Sequence, residues 1–419
     1  MTWEPVKLAD AATLLIGFAF KSSAFLNADD EGVKILRGDN VQQGYIRWGD
    51  KTKKWTHNEY ADLERYQLEE GDVILAMDRP IVGDGLKFAW ITKEDLPALL
   101  VQRVCCLRGR QHVTLTSFLR YVIADPKFSD HIHKITTGAN IPHISGKDIA
   151  AYEFLLPETD EQEAIVNVLS SYDDLIAANQ RRIQLLEESA RLLYREWFVK
   201  LRFPGHEIVP VTDGVPEDWA RKPVSDMVDI KPKTPFPKDV VRPFVGMEAL
   251  STDSMIVDVS ESRPIAGGAK FRNGDTLLAR ITPCLENGKT GFVQFLEDET
   301  AAASGSTEFI VLRSCTVNPY WVYCLARSES FREHAIRSMA GSDGRQRVNA
   351  KSFDQYFTLQ PPQHVLQQFE DSVSEMFAQL QSLTEYNRSL QEARDLLLPK
   401  LMSGALDVSR ISIPEEATV

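Results

Sequence analysis

The chain contains an internal repeat with a period of about 204 residues, and this repetition restricts the folds that the chain can adopt. The hexapeptide of residues 71–76 (GDVILA) matches that of residues 274–279 (GDTLLA) at a shift of 203 residues. The other matches follow in the same order along both halves: Trp3, Leu8, Pro80, Phe128, His131, Gly138, Lys147, Tyr152 and Pro157 correspond to Trp219, Val224, Pro283, Phe331, His334, Gly341, Lys351, Tyr356 and Pro361. A period that persists over this length predicts two similar globular domains.

Each half is predicted to form an α+β domain. The Gly-Asp turn before an apolar run indicates a buried strand in each half, and residues 308–313 predict another in the second half. Helical spacing covers residues 116–130 and 320–339, and the second of these helices follows Asn318 and Pro319, where proline suits the first helical turn. Residues 203–216 contain turn-forming proline and glycine and predict the linker between the halves.

A heptad pattern follows each domain, with seam residues in alternating steps of four and three. The two seams are Ile165, Leu169, Tyr172, Ile176, Asn179, Ile183, Leu186, Ala190, Leu193 and Trp197, and then Phe369, Val373, Met376, Leu380, Leu383, Asn387, Leu390, Arg394, Leu397 and Leu401. Two sustained seams favour an antiparallel two-helix coiled coil with a pseudo-twofold relation between the halves. The alternative is two amphipathic helices that each pack only on their own domain.

These patterns divide the chain into five segments. The first domain covers residues 1–157, the central helix 158–203, the second domain 204–361, the C-terminal helix 362–406 and the tail 407–419. A seam of about 33 residues spans roughly 50 Å at the helical rise of about 1.5 Å per residue.

The register of the helix pair follows from full overlap of the two seams. Antiparallel pairing then joins Ile165 with Leu401, Tyr172 with Arg394, Ile176 with Leu390 and Trp197 with Phe369. It also sets Asn179 opposite Asn387, the only asparagine in each seam. Two facing amides satisfy one another and penalise a one-heptad slip, so we predict that this pair fixes the register.

Charge and composition exclude several classes of protein. The apolar run of residues 11–20 is about half the length of a membrane helix, so a cytoplasmic protein without a membrane partner is expected. Five cysteines without a Cys-x-x-Cys spacing predict neither a disulfide framework nor a metal site. The net charge of −13 is concentrated outside the domains, because residues 158–200 carry 5 basic and 9 acidic side chains and residues 362–419 carry 4 and 9. The two domains are therefore nearly neutral and have room for basic faces.

Two similar domains on a rigid spacer suit a long ligand with two separated sites, and duplex DNA is the obvious ligand because sites on one face recur about every 34–36 Å. Because the domains have diverged, the target should be bipartite and asymmetric. Loops at equivalent places in the two halves, after residue 133 and after residue 340, combine glycine with base-reading side chains. The candidate DNA-binding residues are Lys51, Lys53, Lys54, Arg79, Lys134, Thr136, Thr137, Asn140, His143, Arg280, Thr282, Ser342, Arg345, Gln346, Arg347 and Asn349, with Lys231 and Lys233 as further candidates. Ordinary surface turns and solvated lysines are the alternative interpretation.

The helical segments resemble a known family. Residues 162–166 (QEAIV) and 193–198 (LYREWF) look like the central helix of the specificity subunits of type I restriction-modification systems, and residues 394–404 (RDLLLPKLMSG) are similar to the family's C-terminal helix. The resemblance implies two target recognition domains separated by the coiled coil, in a non-catalytic subunit that reads a split DNA site. It also implies that two methyltransferase subunits, and restriction subunits where present, dock on this chain. Those partners would carry S-adenosylmethionine, ATP and Mg, and this chain would carry no cofactor.

Two alternative functions remain at this point. One is a coiled-coil scaffold that does not read DNA, since a charged helix surface is equally typical of a solvated face. The other is a fused DNA methyltransferase or nuclease. Asn318-Pro319-Tyr320-Trp321 resembles the Asn-Pro-Pro-Tyr loop of adenine methyltransferases but lacks the second proline, and no phosphate-binding or nuclease motif is present.

Overall fold

A computed structural model describes residues 3–49, 52–83, 85–136, 142–235, 241–264, 267–298, 300–342 and 344–408. The chain divides into two compact units. Unit 1 consists of Met1–Ile176 and Leu390–Val419, and unit 2 consists of Ala177–Ser389. The division falls within both long helices, so each unit contains a globular part together with segments of the two helices.

Unit 1 contains strands, short helices and part of the long helix α5. Its strands are β1 (Glu4–Lys7), β2 (Ala12–Ile16), β3 (Val33–Leu36), β4 (Lys53–Trp55), β5 (Val73–Ala76), β6 (Ile81–Val82), β7 (Gly85–Leu86), β8 (Phe88–Trp90), β9 (Ala98–Leu100), β10 (Val104–Gly109) and β11 (Glu153–Leu156). Its α-helices are α1 (Leu8–Ala11), α2 (Thr116–Ala124), α3 (Pro126–Thr136), α4 (Gly146–Ala150) and α5 (Thr159–Tyr194), of which α5 continues into unit 2. The central sheet has the order β2-β10-β5-β8 and is antiparallel throughout.

The core of unit 1 lies between this sheet and the helices. All four residues of β5 are buried, as the Gly-Asp turn before an apolar run predicts. Phe118 on α2 and Phe128 on α3 are fully buried in the same cluster as Ile165 on α5 and Leu401 near the C-terminus. The predicted Ile165 and Leu401 layer is therefore part of one hydrophobic core.

Unit 2 contains the remaining elements. Its strands are β12 (Val211–Thr212), β13 (Val215–Pro216), β14 (Ala220–Pro223), β15 (Val228–Ile230), β16 (Val241–Val245), β17 (Glu261–Pro264), β18 (Ala269–Phe271), β19 (Thr276–Ala279), β20 (Thr290–Phe292), β21 (Ala303–Gly305), β22 (Phe309–Ser314), β23 (Met339–Ala340), β24 (Arg347–Val348) and β25 (Phe357–Gln360). Its α-helices are α6 (Pro319–Arg327), α7 (Glu329–Arg337) and α8 (Gln363–Met402), whose last turns belong to unit 1. After α5, a π-helical turn covers Arg195–Val199.

The sheets of unit 2 repeat those of unit 1. The order β15-β22-β19-β20 corresponds strand by strand to β2-β10-β5-β8. The register is also the same, because Ile74 pairs with Cys106 in unit 1 and Leu277 pairs with Val311 in unit 2. The duplication in the sequence is therefore a duplication of the sheet.

The seam residues of the long helices are buried or half-buried. In unit 2, Trp197 packs against Phe369 with 5.9 Å between the ring centroids, which is the predicted layer. The Nδ2 of Asn179 donates a hydrogen bond to the Oδ1 of Asn387 over 2.9 Å, so the predicted contact between the two amides is present. Antiparallel pairing explains both contacts.

One prediction about the helices was wrong. The segments 116–130 and 320–339 are each two helices, which are broken at Asp125 and at Ser328. Both break residues have extended ψ angles, 131° and 144°. Pro126 explains the first break, because proline disfavours helical geometry in the residue before it.

Smaller contacts confirm that the units share one fold of mixed helix and sheet. The Nε2 of His131 lies 2.9 Å from the carbonyl oxygen of Asp148, and the Nε2 of His334 lies 2.9 Å from that of Ser352. Across the described ranges, no helix is long and apolar enough to cross a membrane.

Candidate nucleic-acid interface

The segment that follows β5 in unit 1 lies against the segment that precedes α4. The backbone N–H of Arg79 donates to the carbonyl of Pro142 over 2.8 Å, and that of Ile144 donates to Met77 over 2.9 Å. Asp78 and His143 are bridge partners between these two hydrogen bonds. We call this pairing of residues 77–80 with residues 142–144 the unit 1 junction.

Unit 2 has the same arrangement at the equivalent residues. The backbone N–H of Thr282 donates to Gln346 over 3.1 Å, and that of Val348 donates to Arg280 over 2.9 Å. Ile281 and Arg347 are the bridge partners. We call this pairing of residues 280–283 with residues 346–348 the unit 2 junction. The structure therefore brings Arg79 next to one predicted loop, and Arg280 and Thr282 next to the other.

A carboxylate lies between two guanidinium groups at the unit 2 junction. Glu308 immediately precedes β22 and accepts hydrogen bonds from the Nε of Arg280 over 3.0 Å and from the Nη2 of Arg347 over 2.8 Å. The hydrogen bond from Arg347 is the main reason that the pKa of Glu308 is below its ordinary value, although partial burial opposes it. The carboxylate is therefore charged at neutral pH, and the cluster carries a net positive charge.

The unit 1 junction has a related cluster in which the acidic and the basic residue have exchanged places along the chain. Asp78 accepts from Arg103 over 2.7 Å, and its other oxygen lies 2.6 Å from the Nδ1 of His143. Burial raises the pKa of Asp78, but the hydrogen bonds from Arg103 and His143 together lower it by more than burial raises it. The pKa of Asp78 is therefore below its ordinary value. Here the acid follows β5 and the arginine precedes β10, whereas in unit 2 the arginine follows β19 and the acid precedes β22.

The remaining candidates differ in accessibility. Lys134, Ser342, Arg345 and Asn349 are exposed, and Gln346 is half-buried. The Nζ of Lys53 donates to the side chain of Asn27 and the Nζ of Lys54 donates to the carbonyl of Asp30, each over 2.8 Å. Both lysines therefore stabilise the position of residues 27–30. Lys51, Thr137 and Asn140 lie outside the described residues.

Part of the loop prediction in unit 1 was wrong. Lys134 and Thr136 belong to the last turn of α3 and not to a loop. Thr136 is buried and its hydroxyl donates to the carbonyl of Ile132, one turn earlier in α3, over 2.9 Å. In unit 2, Arg347 lies in the short strand β24 rather than in an irregular loop.

Sequence reasoning missed several groups at these sites, notably Glu308, Arg103 and two equivalent lysines. The Nζ of Lys87 donates to the carbonyl of Gly38, and the Nζ of Lys289 donates to that of Met247 over 2.7 Å. The backbone carbonyl of each lysine also accepts from an equivalent strand residue, from the N–H of Ala76 in β5 and from that of Ala279 in β19. Extending the repeat alignment at a shift of 202 residues would have found this pair.

Among the residues that the structure describes, no group of three or more His, Cys, Asp or Glu side chains could hold a metal ion. The clusters at the two junctions combine a carboxylate with arginine or histidine side chains. Arginine and histidine can donate hydrogen bonds to phosphates and base edges.

Comparison with known proteins defines the class to which this fold belongs. Residues 1–188, somewhat less than half of the chain, match the family model of the type I restriction modification DNA specificity domain. The predicted resemblance to specificity subunits of type I restriction-modification systems is therefore confirmed.

Particular relatives agree with this assignment. The chain is 35% identical over 176 residues to the EcoAI specificity subunit of Escherichia coli, which covers 42% of this chain and 28% of the relative. It is 31% identical over 192 residues to the MjaVIII specificity subunit of Methanocaldococcus jannaschii, which covers 45% of this chain and 44% of the relative. The matched regions therefore span less than half of each relative. Both relatives are named as specificity subunits of type I restriction enzymes.

A solved structure shows the same fold. The S subunit of the type I restriction-modification system from M. genitalium aligns with a TM-score of 0.54 and 14% identity over 96% of each chain. The predicted fold class, similar domains of mixed helix and sheet with a paired-helix element, agrees with this structural match.

Proposed function

We propose that the chain is the DNA-reading subunit of a type I restriction-modification complex and that it recognises a bipartite, asymmetric target, with one half-site for each unit. The observation that carries this proposal is the repeated junction. The same backbone hydrogen bonds join the same segments in both units, while different side chains occupy the equivalent positions.

The difference in side chains makes the half-sites different. His143 in unit 1 corresponds to Arg347 in unit 2, and Asp78 corresponds to Ile281. Arginine reads guanine through two parallel hydrogen bonds in the major groove, whereas histidine offers a smaller and chemically different edge. Two such readers in one chain select two unlike base sequences.

The chemistry of the complex belongs to other subunits in this proposal. Two methyltransferase subunits dock on the chain and bring S-adenosylmethionine, and restriction subunits, where the system has them, bring ATP and Mg. The surfaces of the long helices carry much of the negative charge of the chain, which suits a platform for protein partners. The chain itself positions these partners on the target.

DNA footprinting with the full chain and its modification subunits tests the proposal. The duplex is first selected from a randomised library, and the protected bases are then mapped. We expect two protected segments separated by an unspecified spacer, and binding that weakens steeply as salt rises because lysine and arginine displace counterions. Selection of no sequence, even with the modification subunits present, would instead support a scaffold. Methyl transfer by the isolated chain would support an enzyme.

A further inference from the structure

The carboxylate of Glu308 occupies one edge of the Arg347 guanidinium. The Nε of Arg347 donates to Oε1 and Oε2 of Glu308 over 3.0 Å each, and Nη2 donates to Oε1 over 2.8 Å. A guanidinium is planar and has its donors in a fixed arrangement. Binding along the Nε–Nη2 edge therefore leaves the Nη1–Nη2 edge for another ligand. Among the described residues, Nη1 makes only a long contact of 3.4 Å with the carbonyl of Arg345.

Glu308 is itself held in place. Its second oxygen accepts from the Nε of Arg280, and the backbone carbonyl of Glu308 accepts from the N–H of Arg280 over 3.0 Å. The side chains of Arg280 and Glu308 are 25% and 23% exposed, whereas that of Arg347 is 41% exposed. Arg280 and Glu308 thus form a fixed, partly buried ion pair. Arg347 is the member of the cluster most exposed to a ligand.

A negative charge at this place disfavours the approach of DNA phosphates, so Glu308 does not serve affinity. What it supplies is orientation, because an arginine side chain has many rotamers and loses much freedom when it binds a base edge. An arginine that is already fixed has less freedom to lose and offers its free edge in one direction. That edge fits O6 and N7 of guanine.

We propose that Glu308 is a positioning residue that determines specificity by holding Arg347 for recognition of a base edge in the half-site of unit 2. This inference rests on the proposed function. It makes a prediction that a merely stabilising ion pair does not make: loss of the Glu308 charge lowers discrimination between sequences and does not lower binding to random DNA.

The test compares variants of the full chain, with its modification subunits, on one randomised duplex library whose bound fraction is sequenced. Arg347→Ala first identifies the base positions that depend on Arg347. Glu308→Gln should reduce discrimination at the same positions by about tenfold, and should raise affinity for unselected duplex by up to about fivefold because a like charge is removed near the phosphates. Glu308→Asp keeps the charge but shortens the side chain, and should lose discrimination without the gain in affinity.

Two control variants isolate the effect. Glu333→Gln removes the same charge from an exposed ion pair with Arg337 on α7, 2.8 Å long, and should leave every base preference unchanged. Asp78→Asn alters the cluster of the other unit and should leave the positions that depend on Arg347 unchanged. Thermal unfolding of each variant identifies any that fails to fold, and Glu308→Asp then carries the test in place of Glu308→Gln.

The possible outcomes separate this inference from the proposed function. If the folded Glu308 variants keep the base preferences of the wild-type chain, or change positions that Arg347→Ala does not change, the role of Glu308 is refuted while DNA reading stands. If the wild-type chain selects no sequence at all, the proposed function fails and this inference fails with it.

Discussion

Asn179 on α5 and Asn387 on α8 join their side-chain amides by a hydrogen bond of 2.9 Å within unit 2. Their residues are only 1% and 6% exposed. A polar pair in a largely apolar seam lowers the stability that an apolar pair there would give, but it favours one register over others. The pair is therefore expected to act on specificity of pairing rather than on stability.

Replacement of one asparagine should destabilise the protein more than replacement of both. In Asn179→Leu, the amide of Asn387 stays buried and loses this hydrogen bond, and we expect a loss of about 1–3 kcal/mol in the free energy of unfolding. The double variant Asn179→Leu/Asn387→Leu removes both polar groups and should recover most of that loss. Urea unfolding followed by circular dichroism measures the difference, and additive losses in the double variant would contradict the prediction.

Asp173 in unit 1 should be a point of high sensitivity. Its two carboxylate oxygens accept hydrogen bonds of 2.7 Å from Arg120 and Arg394, and the hydroxyl of Tyr121 donates to it over 2.9 Å. Because Asp173 is buried, Asp173→Ala removes three hydrogen bonds and leaves the half-buried Arg120 without this counter-charge, whereas Arg394 keeps its ion pair with Asp395. We expect a loss of about 3–5 kcal/mol in the free energy of unfolding.

The neighbouring Asp174 is exposed and provides the matched control for Asp173. Asp174→Ala should change the unfolding free energy by less than about 0.5 kcal/mol, as is usual for surface positions. Similar urea midpoints for the two variants would show that the carboxylate of Asp173 is not needed.

The sequence predicted the helix pair well, because the heptad spacing of apolar residues can be read from each helix without knowledge of the rest of the fold. Seam residues of both helices are buried or half-buried at the expected steps, and the contact between Asn179 and Asn387 followed from the numbering alone. The break at Ser328 was not predicted, because no proline follows Ser328 to indicate the end of a helix. This break depends on how α6 and α7 pack.

The candidate sites were predictable only in part. The repeat correctly indicated equivalent segments in the two units, since Arg79 and Thr282 bond to Pro142 and Gln346. It did not indicate that the first segment begins inside α3 or that the second contains β24. The partners of the basic groups were not predictable, because Glu308 lies 39 residues from Arg347 in the sequence and only the fold brings them together. The acid and the arginine also occupy exchanged positions in the two units, so an alignment that matches identical residues does not reveal that both units have an ion pair beside the junction.

Cysteine labelling tests the packing of the cores. Burial raises the pKa of Cys105 to about 12, so the reactive thiolate is a fraction of roughly 10⁻⁴ at pH 8, and the side chain is also enclosed. Cys315 is exposed. We expect iodoacetamide to label Cys315 in the native protein and Cys105 only after unfolding, as measured by peptide mass spectrometry. Comparable native rates at the two positions would contradict the buried environment of Cys105.

Acid should weaken unit 1 through Asp148. Hydrogen bonds from the side chain and backbone of Ser145 at the start of α4 lower the pKa of Asp148 below its ordinary value. A carboxylate with a lowered pKa stabilises the fold above its unfolded pKa of about 3.9, and this contribution is lost as the pH falls through the folded pKa.

Comparison with Asp148→Asn isolates this contribution. At pH 7 the variant should be less stable by about 0.3–1 kcal/mol, the range for a charge at a helix N-terminus. The difference should disappear as the pH falls from about 5 to about 2, because protonation removes the charge from the wild-type carboxyl. Urea midpoints at a series of pH values measure it, and a difference that does not change with pH would show that the charge of Asp148 contributes nothing.

The exposed arginine beside the unit 2 junction provides a direct test of base reading. Arg345 follows Gly344, whose φ of +77° belongs to the left-handed region, and its side chain is accessible. Arg345→Ala and Arg347→Ala should each weaken binding to the selected duplex by about 1–3 kcal/mol for each base that the arginine reads. An arginine that contacts only phosphate would instead weaken binding to all sequences alike and reduce the salt dependence.

Competition between the selected duplex and a duplex scrambled in one half-site distinguishes these two outcomes. Arg337→Ala is the matched control, since Arg337 is exposed on α7 of the same unit and pairs only with Glu333 among the described residues. If Arg345→Ala and Arg347→Ala both bind and discriminate like Arg337→Ala, the unit 2 junction does not read DNA. Weaker binding confined to one half-site would assign that half-site to unit 2, because both arginines lie in that unit.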